Sequence, residues 1–317
     1  MMLSAFLNTI TKESCFIMEL NLMEWNINFG ADKNAKIAEF AKNYVDGADI
    51  IILTEAIHND SIDKFVDSLS FGYELYESKA SGETWYNQVL ILIKNELKDK
   101  LVIKEIEIDE TKWNKKELPD IMHVSISNND GAILNVIGTR VRIDVFNNDE
   151  IDYKNRCKQF SLLVKYLNTL DNVLVMGDFN NGMIKASSDA LYSDVKEKYE
   201  TRWDKNKRKY VKSLLRFYNF HMMRDILGTD YIMSETFGED SSWGLSLYNN
   251  DFSYGLIKND QIITKGVKLY ESGYDWNYVR DNELSYSDML FRNRYKKGNK
   301  ICHGFPDHAI LRGKVII

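Results

Sequence analysis

Val173-Leu-Val-Met-Gly-Asp-Phe-Asn180 is a short apolar run that breaks off into glycine and two polar residues flanking a phenylalanine. Four apolar residues with β-branched valines read as a buried strand, and Gly177 as its stop. Asp178 and Asn180 lie two apart, so an extended chain puts both on one side, facing one pocket. At average residue usage the tetrapeptide Gly-Asp-Phe-Asn arises by chance in about one chain in several hundred of this length. The same residue types also suit a simple turn. The surrounding sequence decides between the two readings.

Three further stretches repeat the design. Ile50-Ile-Ile-Leu-Thr-Glu55 is an apolar strand ending in a carboxylate. Met23-Glu-Trp-Asn-Ile-Asn28 closes a strand expected over Glu19–Ile27, with Asn26 and Asn28 sharing a face. Gly304-Phe-Pro-Asp-His-Ala-Ile-Leu311 puts Asp307 and His308 at the start of a final strand, His308–Ile316. Polar, metal-capable groups at the ends of apolar strands are where a rigid scaffold presents functional residues.

Between these stretches the pattern alternates. Ile37, Phe40, Ala41, Tyr44 and Val45 predict a helix ended by Gly47, and Ile62, Phe65, Val66 and Leu69 predict a second. Tyr73–Tyr76, Val89–Ile93, Leu101–Ile108, Ile121–Ile126 and Ile133–Ile137 read as consecutive short strands. Their short links predict antiparallel pairing. A helix over about 152–170 turns Phe160, Leu163, Val164, Leu167 and Leu170 inward. No repeat or linker divides the chain, and mixed sheets with outer helices fit best. Residues 18–317 are expected to form one domain, with 1–17 a loose extension.

The 317 residues carry a formal net charge of −6, so general attraction to polyanions is not built in. Cys15, Cys157 and Cys302 show no metal-like spacing, which fits a reducing, cytoplasmic setting. Residues 1–17 have no basic leader and a broken apolar stretch, a poor signal peptide, with weak membrane association as the alternative. No apolar run approaches the ~18–20 residues of a membrane span. No protein partner or oligomeric state can be inferred from the residues.

In chain order the motifs read Trp-Asn, Glu, Gly-Asp-Phe-Asn and Asp-His. That combination resembles the endonuclease/exonuclease/phosphatase superfamily over about Leu20 to Ile316. The resemblance implies an α+β fold, a four-layer α/β/β/α sandwich like that of deoxyribonuclease I. Two mixed β-sheets would pack face to face with helices outside and the motifs at one rim. It also implies roles. Asn26 contacts the scissile phosphate, and Asn28 lies on the metal side. Glu55 is the principal metal ligand. Asp178 aligns or activates the attacking water, and Asn180 is its phosphate-side partner. Asp307 lies at the metal and His308 on the phosphate. Asp275, in Tyr274-Asp-Trp-Asn-Tyr-Val279, is expected to orient His308. Arg156 and Gln159, spaced R-x-x-Q on the helix, read as structural. One position departs: where the family usually carries His or Tyr, this chain has Arg140. Its planar fork suits phosphate oxygens, with a strand-end salt bridge as the alternative.

Glu55, Asp307 and Asn28 are hard oxygen ligands and suit Mg²⁺ or Mn²⁺ over Zn²⁺. The implied activity is metal-dependent hydrolysis of phosphodiester bonds, with a nuclease on DNA or RNA in the lead. Arg202 to Arg216 holds seven basic residues against Asp204 alone, interleaved with aromatics, and a second basic run spans Arg292 to Lys300. Such segments suit nucleic acid, with a solvated helix face as the structural alternative. A phosphatase or phosphodiesterase on a lipid headgroup or small phosphoester is the second functional reading. A non-catalytic binding module is the third, opposed by the intact set of Glu55, Asp178, Asn180, Asp307 and His308.

Overall fold

The computed structural model describes residues 17–27, 42–56, 60–78, 88–109, 117–128, 131–143, 149–180, 183–184, 199–204, 208–214, 223, 226–234, 256–284 and 306–317. The chain opens with β1 (Glu19–Asn26), β2 (Ile50–Ala56), α1 (Asp60–Leu69), β3 (Tyr73–Glu77) and β4 (Gln88–Lys94). Next come α2 (Asn95–Lys98), β5 (Val102–Glu105), β6 (Asp120–Asn128), β7 (Gly131–Arg140), α3 (Asp149–Leu167) and β8 (Val173–Asp178). Then follow β9 (Met183–Ile184), β10 (Tyr199–Asp204), β11 (Lys209–Leu214), β12 (Ile232–Met233) and β13 (Leu256–Ile257). The chain closes with β14 (Asp260–Lys265), β15 (Lys268–Asp275), α4 (Asn277–Asp281) and β16 (Ile310–Ile316).

Most sequence-expected strands are present. The strand expected over Leu101–Ile108 is shorter, Val102–Glu105, and the final one begins at Ile310, after His308. Of the helix expected around Ile37–Val45, only a 3-10 turn at Lys42–Tyr44 falls within the described residues. The described part of the basic segment after Arg202 is not a helix face: it forms the antiparallel strands β10 and β11, with Trp203 opposite Tyr210, while Lys205, Lys207 and Arg216 lie outside the described residues. The second basic run and Asn28 lie outside the described residues.

Two six-stranded sheets form, in the orders β15-β16-β1-β2-β4-β3 and β12-β14-β8-β7-β6-β5. Each is mixed, with one parallel pair at its centre: β1 with β2, and β7 with β8. Strand alternation builds the layers. Leu20 and Leu22 of β1 and Ile50 and Ile52 of β2 face inward, against Val124, Val136, Leu174 and Met176 of the second sheet. The opposite faces of the same strands carry Met23, Trp25, Ile51 and Leu53, which pack with Phe65 of α1. On the far side, Ile137, Val173 and Val175 meet Phe160, Leu163 and Leu167 of α3. Three apolar layers thus bind helix, sheet, sheet and helix. Each fully buried aliphatic side chain in them contributes about 1.5–3 kcal/mol. No helix among the described residues is long and apolar enough to cross a membrane.

The pairing directions gather the motifs. Parallel pairing sets the C-terminal ends of β1 and β2 side by side, and likewise those of β7 and β8. β16 and β14 run antiparallel to β1 and β8, so their N-terminal ends arrive at the same rim. Close approach there demands glycine: a Cβ on Gly177 would lie 1.7 Å from the Thr139 carbonyl oxygen of the paired strand.

Candidate active site

Asp178 ends β8 pointing into the inter-sheet layer, and its carboxylate is fixed by three N–H donors. Oδ1 accepts the Asn180 backbone N–H at 2.8 Å. Oδ2 accepts from Asn26 Nδ2 at 2.9 Å and Asn180 Nδ2 at 3.1 Å. A carboxylate offers about four acceptor sites, so one remains for a water or substrate hydrogen. Burial pushes the Asp178 carboxyl up to about 7 against the opposing charges of His308 and Arg140. Asn180 adopts φ 45°, a left-handed conformation that asparagine tolerates better than most residues. The fold anchors it through its carbonyl, which accepts from Arg156, and through Nδ2, which donates to the Val141 carbonyl at 2.8 Å. Gln159 clamps the backbone N–H and carbonyl of Arg142 at 2.9 and 3.0 Å. The R-x-x-Q pair of α3 therefore braces the strand ends from behind.

Glu55 reaches the site through a local irregularity. Strict alternation would turn it to the outer face, because Thr54 faces inward. A register shift between Leu53 and Ala56, with φ 56° at Glu55, re-aims the side chain. Its Oε1 accepts Arg140 Nε at 3.0 Å and Nη2 at 2.6 Å. Burial alone would raise the Glu55 carboxyl. The charges of Arg140 and His308, with hydrogen bonds from Arg140 and Asn26, outweigh burial and hold it below the ordinary carboxylate value. Arg140 also lies 3.5 Å from Asp120 and 4.0 Å from Asp178, bridging the two sheets as a buried cation.

His308 lies just ahead of β16, in the sheet that also carries Glu55 and opposite the sheet of Asp178. Its loop is pinned by Trp25 Nε1, which donates to the His308 carbonyl at 3.1 Å. The Tyr278 hydroxyl lies 2.6 and 2.7 Å from the carbonyls of Pro306 and His308. His308 Nδ1 pairs with Asp260 Oδ2 at 2.8 Å, which leaves Nε2 as the working ring atom. Burial would favour the neutral ring, but the Asp260 charge and hydrogen bond, then Asp178 and Asp307, raise its pKa well above the usual histidine value. Carboxylate oxygens of Asp178 and Asp260 and a His308 ring nitrogen all lie within 4.8 Å of one another.

The expectation for Asp275 is corrected by this geometry. Asp275 sits at the same rim, but alternation along β15 turns Tyr274 inward and Asp275 outward. Its carboxylate pairs with Arg312 Nε at 2.7 Å and accepts the Asn277 backbone N–H at 2.8 Å. The His308 partner is Asp260, at the start of β14, directly opposite Asp178 in the ladder. Its sequence signal was Asn259-Asp-Gln-Ile-Ile263, a carboxylate opening a short isoleucine-rich strand.

A divalent cation is tested by the donor set. Glu55 is ionised and Asp307 is half-buried beside His308, both with hard oxygen donors that suit Mg²⁺ or Mn²⁺. Glu55 also takes two hydrogen bonds from Arg140 on Oε1, and among the described residues the cluster of acidic and histidine side chains with ligand atoms close enough to share one ion is Asp178, Asp260 and His308. The Asp178–Asp260–His308 group suits a cation less well while the His308 ring keeps its proton, its pKa being raised well above the usual value by Asp260.

Comparison with known proteins agrees with this architecture. No curated protein matches the chain. Among solved structures, D. rerio TDP2 complexed with single strand DNA product is 12% identical, with a TM-score of 0.56 over 94% of this chain and 98% of that one. A Bacteroides thetaiotaomicron endonuclease/exonuclease/phosphatase family protein is 10% identical, with a TM-score of 0.56 over 95% and 96%. TDP2 from C. elegans is 15% identical, with a TM-score of 0.52 over 94% and 75%. These show a shared fold. The model of the Endonuclease/Exonuclease/phosphatase family matches residues 23–288. With the match spanning most of the sequence and both sheets, the chain belongs to the endonuclease/exonuclease/phosphatase family.

Proposed function

We propose that residues 18–317 form one catalytic domain that hydrolyses phosphodiester bonds of nucleic acid, with DNA as the leading substrate and Mg²⁺ or Mn²⁺ as cofactor. The observation that carries this is the Asp178 carboxylate, held by three amide donors beside Asp260 of the same sheet and facing His308 of the other sheet, with His308 bonded to Asp260. A bound divalent ion at Glu55 and Asp307 would neutralise charge on the phosphate and its leaving oxygen. Asp178 orients the attacking water and takes its proton, a role suited to a carboxyl pushed up to about 7. Asn26 and Asn180 keep that carboxylate in one orientation. His308, cationic and held through Nδ1, presents Nε2 to a phosphate oxygen as charge builds. Arg140 supplies a second fixed positive charge on the other side of the site. DNA is favoured because the structurally similar D. rerio TDP2 holds a single-stranded DNA product. The basic, aromatic hairpin of β10 and β11 offers a segment suited to a polyanion.

The test is a substrate panel with Mg²⁺: labelled single- and double-stranded DNA, RNA, inositol phosphates and sphingomyelin. Cleavage of DNA, abolished in Asp178→Ala, supports the reading. Turnover confined to the lipid or inositol substrates would replace nucleic acid as the substrate, and no turnover on any would overturn the proposal.

A further inference from the structure

In the inter-sheet layer that holds Asp260 and His308 lies a carboxyl group that the proposed chemistry does not use. Glu24 is on β1 and faces the inter-sheet layer, as do Leu20 and Leu22 four and two residues before it. It is fully buried. Its Oε1 accepts the Thr54 hydroxyl at 3.1 Å, while Oε2 has no hydrogen-bond partner among the described residues. Asp260, also fully buried, uses Oδ2 for His308 and likewise leaves Oδ1 without one. Two orphaned carboxylate oxygens in one buried layer are costly if both groups are ionised, at several kcal/mol per uncompensated charge. One proton resolves both. A protonated carboxyl becomes a donor at one oxygen, and the other carboxylate is an acceptor at the oxygen left over.

We infer that Glu24 is held as a neutral carboxylic acid whose Oε2–H donates to Asp260 Oδ1, forming a Glu24–Asp260–His308 chain that aims the histidine. Asp260 Oδ2 is already taken by the imidazole, so the shared proton is placed on Glu24 Oε2. Glu24 is the partner that gives way: burial first, then the charges of Asp260 and Asp178, push its carboxyl well above the usual range. Thr54 suits this state, since its hydroxyl donates to the oxygen that would carry no proton. Glu24 touches no substrate and is a positioning residue. By satisfying Asp260 Oδ1, it fixes the rotation of that carboxylate and so the direction of His308 Nε2. The role in turnover rests on the reading of His308 as the phosphate-facing group, whereas the protonation state of Glu24 does not.

Two measurements test it. The first is infrared spectroscopy of the full chain at neutral pH, with ¹³C-labelled glutamate. A protonated-carboxyl stretch that shifts on labelling and vanishes in Glu24→Gln is expected, and absence of that band overturns the inference whatever the rates. The second compares Glu24→Gln with Glu24→Met, both checked for folding by circular dichroism. Glutamine keeps an acceptor for Thr54 and a donor for Asp260, so its turnover should stay within about threefold of wild type. Methionine fills the space without the donor and should lose at least about tenfold, the scale of one lost buried hydrogen bond. Equal loss in both variants, or none in either, contradicts the positioning role. If the wild type hydrolyses no phosphoester at all, the functional reading fails while the infrared test still stands.

Discussion

Replacing Asp260 with asparagine keeps the shape of the site and removes one charge, so its effect can be worked from the geometry. The Asp260 carboxylate and the His308 ring form a buried pair with Nδ1 and Oδ2 at 2.8 Å. Charge centres about 4 Å apart at an effective dielectric of ~20 interact by about 4 kcal/mol. Part of that returns because the asparagine oxygen still accepts from Nδ1, so about 3 kcal/mol of support for the imidazolium is lost. If that support acts on charge developing at the phosphate, turnover falls by about 10². Substrate affinity should change much less, because the ground state carries less of that charge. The His308 pKa should also fall, since burial, which favours the neutral ring, would no longer be opposed by Asp260. The assay is steady-state hydrolysis of bis-(p-nitrophenyl) phosphate beside an NMR pH titration of His308. Asp275→Ala is the companion variant. It removes a pair with a partly exposed Arg312, worth about 0–1 kcal/mol, and should leave turnover unchanged. A loss of turnover in Asp275→Ala with none in Asp260→Asn would refute the assignment.

Stability should fall as pH rises from about 5 to 8, because groups raised on folding bind more protons in the native state between their unfolded and folded values. That window runs from 3.8 to about 7 for Asp178 and opens at 6.5 for His308, while Glu55, shifted the other way, adds stability only above its own depressed value. Differential scanning fluorimetry across pH checks the slope, and a stability rising over that range would contradict it. Mg²⁺ should raise the melting temperature by the equivalent of about 2.7 kcal/mol at a hundredfold excess over its Kd, and Glu55→Gln should remove most of that gain. Gly177→Ala should destabilise the fold strongly, since its Cβ would fall 1.7 Å from the Thr139 carbonyl; a chemical-denaturation midpoint equal to wild type would show that this contact relaxes.

The strand ends are legible in the sequence because apolar runs that stop in Asn26, Glu55 and Asp178 carry the signal locally. The layers were legible for the same reason, as alternation in β1 and helical spacing in α3 assign inner and outer faces directly. Asp275 misled because Tyr-Asp-Trp before a turn resembles a residue presented to a site. The face it occupies depends on the pairing of β15 with β16, which no local pattern encodes. Asp260 was missed because its importance comes from lying opposite Asp178 in the ladder, far away in sequence. Glu55 was placed at a strand end, but the register shift and left-handed backbone that aim it inward are tertiary features. Arg140 has two readings in the sequence, a phosphate binder or a strand-end salt bridge, and the fold shows the salt bridge, its Nε and Nη2 engaged by Glu55 across the two sheets.

The most direct test of the account is the single-turnover rate of Mg²⁺-dependent phosphodiester cleavage by wild type and Asp178→Asn. Asparagine preserves size but cannot take a proton from water, so the account predicts a fall of about 10²–10⁴ with substrate binding nearly unchanged. Equal rates in the two proteins would contradict the central claim that Asp178 activates the nucleophile.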